Sequence, residues 1–331
     1  MPKTHNNIWN DIIDIENLYA AYHEARRGKR YTIQATKFAE HLEENMIQLH
    51  NELAWLTWRP EPMRQFYVRE PKTRLISAPT FRDRVVHHAL VRVIEPLFER
   101  RFIDHSYACR VGRGTQAAVL HVQQVLRRPS ANHVLKGDIR SYFASIDHDD
   151  LKRINRRTIR DRGALWLLDT IIDAFGPGLP IGALTSQLEA NVNLNQLDHY
   201  VVDDLGWGSR YTRYMDDFVV VGGDRRELIR LEGQIRAFVE RELHLELNDK
   251  THVFPARRGV DFCGYRIFPH YLKPRKRNVK RARRRLRKLA AMGDVQRYRD
   301  SIMSFLGYMK ICRGHRTTTS ILNQYTIGGG A

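Results

Sequence analysis

SRYTRYMDDFVVVGGD, residues 209–224, places two adjacent acids, Asp216 and Asp217, inside an otherwise apolar β pattern. Tyr214 and Met215 precede them and Phe218 to Val221 follow, so the stretch reads as strand, turn and strand with the acids at the turn. Two charges in such a setting must be compensated. An isolated Asp-Asp could be no more than a type I′ hairpin whose acids tolerate positive φ at a solvent-exposed tip. A third acid shifts the balance: Asp138 closely follows the strand His133 to Leu135 and stands five residues before Phe143. Carboxylates from two neighbouring strands can converge on hard cations. Mg²⁺ usually takes one or two protein carboxylates and completes its octahedron with water and phosphate oxygens. Two such ions, about 3.5–4 Å apart, would activate an attacking 3′-hydroxyl and neutralise a departing pyrophosphate.

Outward from this hairpin the chain alternates helical and β patterns. Ile8, Ile12, Ile15 and Leu18, then Phe38, Leu42, Met46, Leu49 and Leu53, recur at spacings of three and four, which predicts helices across 8–57. Residues 65–79 predict a hairpin around Pro-Lys-Thr carrying Arg69, Lys72 and Arg74, and helical spacing returns from Val85 to Phe98. Residues 133–147 open as a strand and run into a loop, followed by helices at 149–160 and 163–175. After the Gly- and Pro-rich loop GPGLPIGALTSQ, Ser186 and Glu189 form an S-x-x-E pattern, predicting a capped helix start and a helix that stops at Gly206. A helix is expected over about 225–243, one strand over 260–268, and mostly helix after Pro269.

The 331 residues suffice for a real hydrophobic core, and the net charge of +18 points to a polyanionic partner, a solvated basic face or an acidic membrane surface being the alternatives. The excess is uneven. Residues 256–331 hold 19 Lys and Arg against three Asp, so this tail is expected on nucleic acid. Cys109, Cys263 and Cys312 are far apart and outside any C-x-x-C spacing, which suggests neither a disulfide framework nor a zinc site and fits a reducing cytosol. The start has no signal-peptide pattern, and no run reaches the length of a membrane span, so the protein is expected to be neither secreted nor membrane-embedded.

Six motifs in register carry a resemblance to reverse transcriptases over about residues 65–268: KTRLISAPTFRDRVVHHAL, SYACRVGRGTQAA, LKGDIRSYFASID, GLPIGALTSQ, RYMDDFVVV, and NDKTHVF followed by FCGYRIF. The resemblance implies an α/β (α+β) right-hand polymerase fold with fingers, an antiparallel-sheet palm and a short helical thumb. It divides the chain into N-terminal helices and fingers at 1–84 (with 151–176), palm at 85–150 and 177–268, and thumb at 269–331. It implies a magnesium site for two ions, with Asp138 and Asp216 as the metal-binding pair, Asp217 as the accessory third carboxylate, and Ile139 beside Asp138. Phe143 matches the aromatic gate that excludes a 2′-hydroxyl, or else is a core residue. Lys72 and Arg74 match the fingers residues that grip the triphosphate, where a guanidinium suits phosphate geometry. Arg110 falls near the template or nucleotide path, a surface salt bridge being its alternative. Lys250 matches a general acid for pyrophosphate, or simple phosphate screening. Phe262, Gly264 and Tyr265 resemble the primer grip, with the aromatic against the primer end. The segment Lys273 to Lys288, including Arg283, Arg284 and Arg287, would lie on the duplex backbone.

One motif departs from the common pattern. Most reverse transcriptases carry Q-G-x-x-x-S-P where this chain has Ile181-Gly182-Ala183-Leu184-Thr185-Ser186-Gln187, and the resemblance implies that Ile181, Gly182 and Gln187 lie near the nucleotide. This variant, the compact length and the start NLYAAYHEARRGKR resemble the enzymes of diversity-generating retroelements. That resemblance implies cDNA mutagenised at adenine, made from a template-repeat RNA. Its partners would be template RNA, the RNA–DNA hybrid, dNTPs and a small basic accessory variability protein, with no membrane, in the cytoplasm of a bacterium or encoded by a phage. The alternatives are a retron, group II intron-like or antiviral reverse transcriptase, or a non-catalytic RNA-binding maturase.

Overall fold

Apolar residues at helical spacing close four N-terminal helices, α1 (Trp9–Ile13), α2 (Ile15–Ala25), α3 (Ile33–Glu40) and α4 (Leu42–Ala54), burying Ile12, Leu18, Phe38, Met46, Leu49 and Leu53. The computed structural model describes residues 4–69, 73–312 and 314–324. Its contacts divide the chain into two compact units: residues 1–104, 139–205 and 234–248, and residues 105–138, 206–233 and 249–331.

In the first unit the hairpin β1 (Arg64–Val68) and β2 (Arg74–Ala78) follows α4, antiparallel, with Phe66 opposite Ile76. The Thr80 side chain then caps α5 (Phe81–Glu99) by accepting from Asp83 N–H. The remaining complete helices of this unit are α7 (Tyr142–Ser145), α8 (His148–Asn155), α9 (Arg162–Asp173) and α10 (Leu184–His199). α10 begins three residues earlier than its sequence predicts, with Ala183 and not Ser186 at its N-cap. Glu189 is fully buried and accepts from Asn155 Nδ2 of α8 at 2.8 Å, so the S-x-x-E pair is interior helix instead of a capping box. Burial outweighs the local capping signal because α10 is buried over most of its surface, Thr185, Ser186, Leu188 and Glu189 included. A single π-turn over Tyr200–Asp204 extends it to the positive-φ Gly206, where the sequence places its end.

The second unit holds a four-stranded antiparallel sheet of order β4-β5-β3-β6: β3 (His133–Asp138), β4 (Tyr211–Tyr214), β5 (Asp217–Gly222) and β6 (His252–Pro255). Helix α6 (Thr115–Leu126), which follows a Gly- and Arg-rich lead-in and is not among the expected elements, packs on β4 and β5. α11 (Arg225–Leu243) continues from this unit into the first, over the residues expected. The segment expected as one strand is a hairpin, β7 (Val260–Phe262) and β8 (Tyr265–Ile267), joined to β9 (Leu272–Pro274). Its turn residues Cys263 and Gly264 both have positive φ, the type I′ geometry that matches strand twist. Val134, Val219, Val221 and Phe254 from one face of the larger sheet meet Val119 and Val122 of α6 and Phe262, Tyr265 and Ile267 of the small sheet in one core. The basic tail forms α12 (Lys276–Ala291), α13 (Val295–Met309) and α14 (His315–Gln324) around Leu286, Tyr298, Phe305 and Ile321. Helices flanking antiparallel sheets make this the α+β class expected. Among the described residues no helix is long and apolar enough to cross a membrane.

Candidate active site

Antiparallel pairing sets Asp138, the last residue of β3, directly opposite Asp217, the first of β5. Like charges so placed repel, although both side chains are partly exposed. Lys136, two residues before Asp138 on the same face, stands 3.7 Å from the Asp217 carboxylate and offsets part of that repulsion. Between these two residues Gly137 is buried beneath the Phe218 ring, where a Cβ would lie 2.1 Å from Phe218 Cζ. The ring therefore occupies this place only because residue 137 has no side chain. Neither Lys136 nor Gly137 was singled out from the sequence, although both sit in LKGD.

Asp216 lies in the two-residue turn between β4 and β5, and the positive φ of that turn (+57°) falls on Met215, not on an acid. A type I′ tip adapted to aspartate is thus not what forms. A non-glycine residue held there is strained and needs support. Arg213, fully buried, donates to the Met215 carbonyl at 3.1 Å. Its own backbone pairs with the His105–Tyr107 segment, whose Ser106 carbonyl accepts from Arg110 at 2.7 Å. Arg110 is thereby built into the loop flanking β4. From α6, Thr115 donates to the Tyr214 hydroxyl at 3.2 Å, and His121 and Thr212 lie within 2.9 Å.

Asp138 and Asp217 open onto a cleft of about 450 Å³ lined also by Lys136, Lys250, His252, Arg258, Asp261, Arg266 and Arg275. Five cations against three carboxylates make this cleft attractive to phosphate groups. Lys250 is exposed in the turn before β6 and reaches the same cleft as the two acids. Among the described residues no three His, Cys, Asp or Glu stand together as a ready-made metal cluster. The donor set is nonetheless all-carboxylate: an opposed pair with a third acid one residue away, the type Mg²⁺ takes when substrate and water complete its shell.

The β7–β8 turn is held from below. Gly264 has φ +90°, and its carbonyl accepts from Tyr308 Oη at 2.5 Å and Arg275 N–H at 3.1 Å. Phe262 and Tyr265 are opposed in register and buried, and Tyr265 Oη donates to the Tyr308 carbonyl at 2.8 Å. The aromatic expected against a primer end is thus a core residue, and what the hairpin presents is its turn. Burial, the nearby Asp217 charge adding to it, pushes the Cys263 thiol in that turn well above the usual range.

The remaining predicted residues lie in the first unit, except Lys72, which falls outside the described residues. Arg74 is exposed at the start of β2. Phe143 is half-buried in α7. Ile181 and Gly182 run beside β2: Ser77 N–H donates to the Ile181 carbonyl at 3.0 Å, and a Cβ on Gly182 would lie 2.8 Å from the Ser77 carbonyl. Gln187 is exposed on the first turns of α10. Thr185 meets His87 of α5 at 3.0 Å, where burial drives the His87 pKa down to about 3 and keeps the ring neutral. Ile139 is buried, with backbone bridged to Leu247, so only its carbonyl could serve a cation.

The family profile "Reverse transcriptase (RNA-dependent DNA polymerase)" matches residues 68–267. Protein YkfC of Escherichia coli K12 is 29% identical over 266 residues, covering 66% of this chain and 70% of YkfC. The group II intron-encoded protein LtrA of Lactococcus lactis subsp. cremoris is 22% identical over 300 residues, covering 68% of this chain and 50% of LtrA, so the chain spans about half of that relative. Apo telomerase from Candida tropicalis superposes with TM-score 0.49 at 10% identity, covering 66% of this chain and 49% of the telomerase chain.

Proposed function

The chain belongs to the reverse transcriptase family, and on that premise we propose that it copies a template-repeat RNA into mutagenised cDNA for a diversity-generating retroelement. The observation that supports polymerisation at this site is the opposition of Asp138 and Asp217 across β3 and β5, with Asp216 in the adjoining turn. These acids, with the Ile139 carbonyl, would hold two Mg²⁺ ions. When bound, the ions supply activation of the 3′-hydroxyl and neutralisation of the leaving pyrophosphate. Lys250, in the same cleft as Asp138 and Asp217, protonates or screens the leaving group. Lys72 and Arg74 grip the triphosphate, Phe143 excludes ribonucleotides, the β7–β8 turn steadies the primer, and α12 follows the duplex backbone. A palm over the four-stranded sheet, fingers over the β1–β2 hairpin and a thumb over α12 to α14 is the division we favour.

The retroelement assignment rests on Ile181 and Gln187. A Gln at position 181 can hydrogen-bond near the nascent pair, so a badly shaped pair leaves a buried polar group unsatisfied at a cost of about 1–3 kcal/mol. Isoleucine has no such group to lose, and discrimination weakens roughly tenfold for each 1.4 kcal/mol. The bias toward template adenine is carried by the family resemblance alone, as is the small basic accessory protein. Sequencing cDNA made on a template containing all four bases tests the reading. Errors should concentrate opposite adenine and fall in Ile181→Gln. Equal error at every base, unchanged by the substitution, points instead to a group II intron-type polymerase, the second reading, which the likeness to LtrA favours.

A further inference from the structure

The Tyr142–Phe143 stretch of α7 is held from two sides by a single run of chain, through the Phe143 backbone and the Tyr142 side chain. The Phe143 carbonyl accepts from Leu179 N–H at 2.6 Å. Gly178, at φ +70°, approaches so closely that a Cβ there would lie 2.4 Å from Phe143 O and 2.7 Å from the Ala144 backbone. The Gly178 carbonyl in turn meets His148 Nε2 of α8 at 2.7 Å, which fixes the loop from its far side. On the other flank, the buried Tyr142 donates its hydroxyl to the Ala190 carbonyl at 2.5 Å and lies 3.3 Å from Asn193 Oδ1, both on α10. Between these two grips the same run presents Ile181 and docks on β2 through the Ser77 contacts already described.

We propose that this segment, residues 178–193, couples sugar selection to base selection: Gly178, the Leu179 N–H and the Tyr142 hydroxyl are positioning groups for Phe143, and the Ile181–Ser77 contact links the ring's placement to the fingers hairpin. The proposal rests on reading Phe143 as the sugar gate. Its physical basis is that a close-packed interior transmits displacement instead of absorbing it. A ring that must clash with one hydroxyl and clear its absence tolerates only a fraction of an ångström. A shift of the loop therefore moves the gate and the Ile181 surface together.

The test compares kcat/KM for deoxy- and ribonucleotides, together with misincorporation, in wild type, Gly178→Ala, Tyr142→Phe and Phe143→Ala. Gly178→Ala is expected to lower the deoxy-to-ribo ratio about tenfold or more, chiefly by lowering ribonucleotide KM, and to change misincorporation in parallel. Combined with Phe143→Ala it should add nothing, because it acts through that ring. Tyr142→Phe removes one buried oxygen and carries the same expectation should Gly178→Ala fail to fold. If both variants keep the wild-type ratio while Phe143→Ala abolishes it, or if their effects add to that of Phe143→Ala, the coupling is wrong although the gate stands. If Phe143→Ala itself keeps the ratio, the gate reading fails and the proposal with it.

Discussion

Asp138 opposite Asp217 is an arrangement that folding alone disfavours, and the residues around it show how it is held. Lys136 offsets charge, Arg213 supports the turn carbonyl, and Gly137 leaves room for the Phe218 ring. Gly137→Ala is therefore predicted to cost about 1–3 kcal/mol through overpacking, read as a lowered thermal midpoint, with loss of primer extension. Adding Phe218→Leu should recover part of the stability. A midpoint equal to wild type in Gly137→Ala would mean that the ring does not press on residue 137. At this scale the sequence was only partly legible. The three acids stood out because charge interrupts an apolar β pattern. Gly137 and Arg213 did not, because their roles depend on a neighbour across the sheet and on a strained turn, neither of which a linear pattern encodes.

Elements were more legible than their ends and contacts. Helical periodicity located α2, α4, α5, α9 and α11, and short apolar β runs bounded by turns located β3 to β5, since in these segments local propensity and burial agree. Where they disagree, burial decides, as in α10. Glu189 there is buried beside Asn155, and desolvation raises its pKa from 4.5 to about 8. A carboxyl whose folded pKa lies above its unfolded value contributes fully below about pH 4.5, and stability declines as pH rises from there through about 8. Glu189→Gln keeps an acceptor for Asn155 without the ionisation. It is predicted to be more stable than wild type by about 3 kcal/mol at pH 7, with the difference vanishing near pH 4. Urea denaturation at the two pH values measures this. A difference independent of pH would show that Glu189 is not the titrating group. The segment 260–268 reads as one strand in sequence because its turn, Cys263-Gly264, is short and flanked by apolar residues on both sides.

Across the whole molecule the charge is as uneven as the sequence announces, and α12 carries much of it: nine Lys and Arg with no acid, on a helix that buries Leu286 and Leu289. The cations there are not equally exposed. Arg283 is half-buried and donates to Ser320 Oγ at 3.2 Å, which leaves it less accessible than its neighbours. Arg281, Arg285 and Lys288 are exposed. Reversing these three to Glu should weaken RNA–DNA duplex binding and flatten the dependence of log K on log salt by roughly two to three in slope. An unaltered slope would place this face away from nucleic acid. Polymerisation by this basic protein, as proposed, requires Asp138, Asp216 and Asp217. Primer extension on an RNA template with Mg²⁺, run side by side on wild type and Asp216→Asn with RNA affinity measured on both, tests this most directly. The prediction is that extension is abolished in Asp216→Asn while RNA binding stays near wild type; extension by Asp216→Asn near the wild-type rate would contradict it.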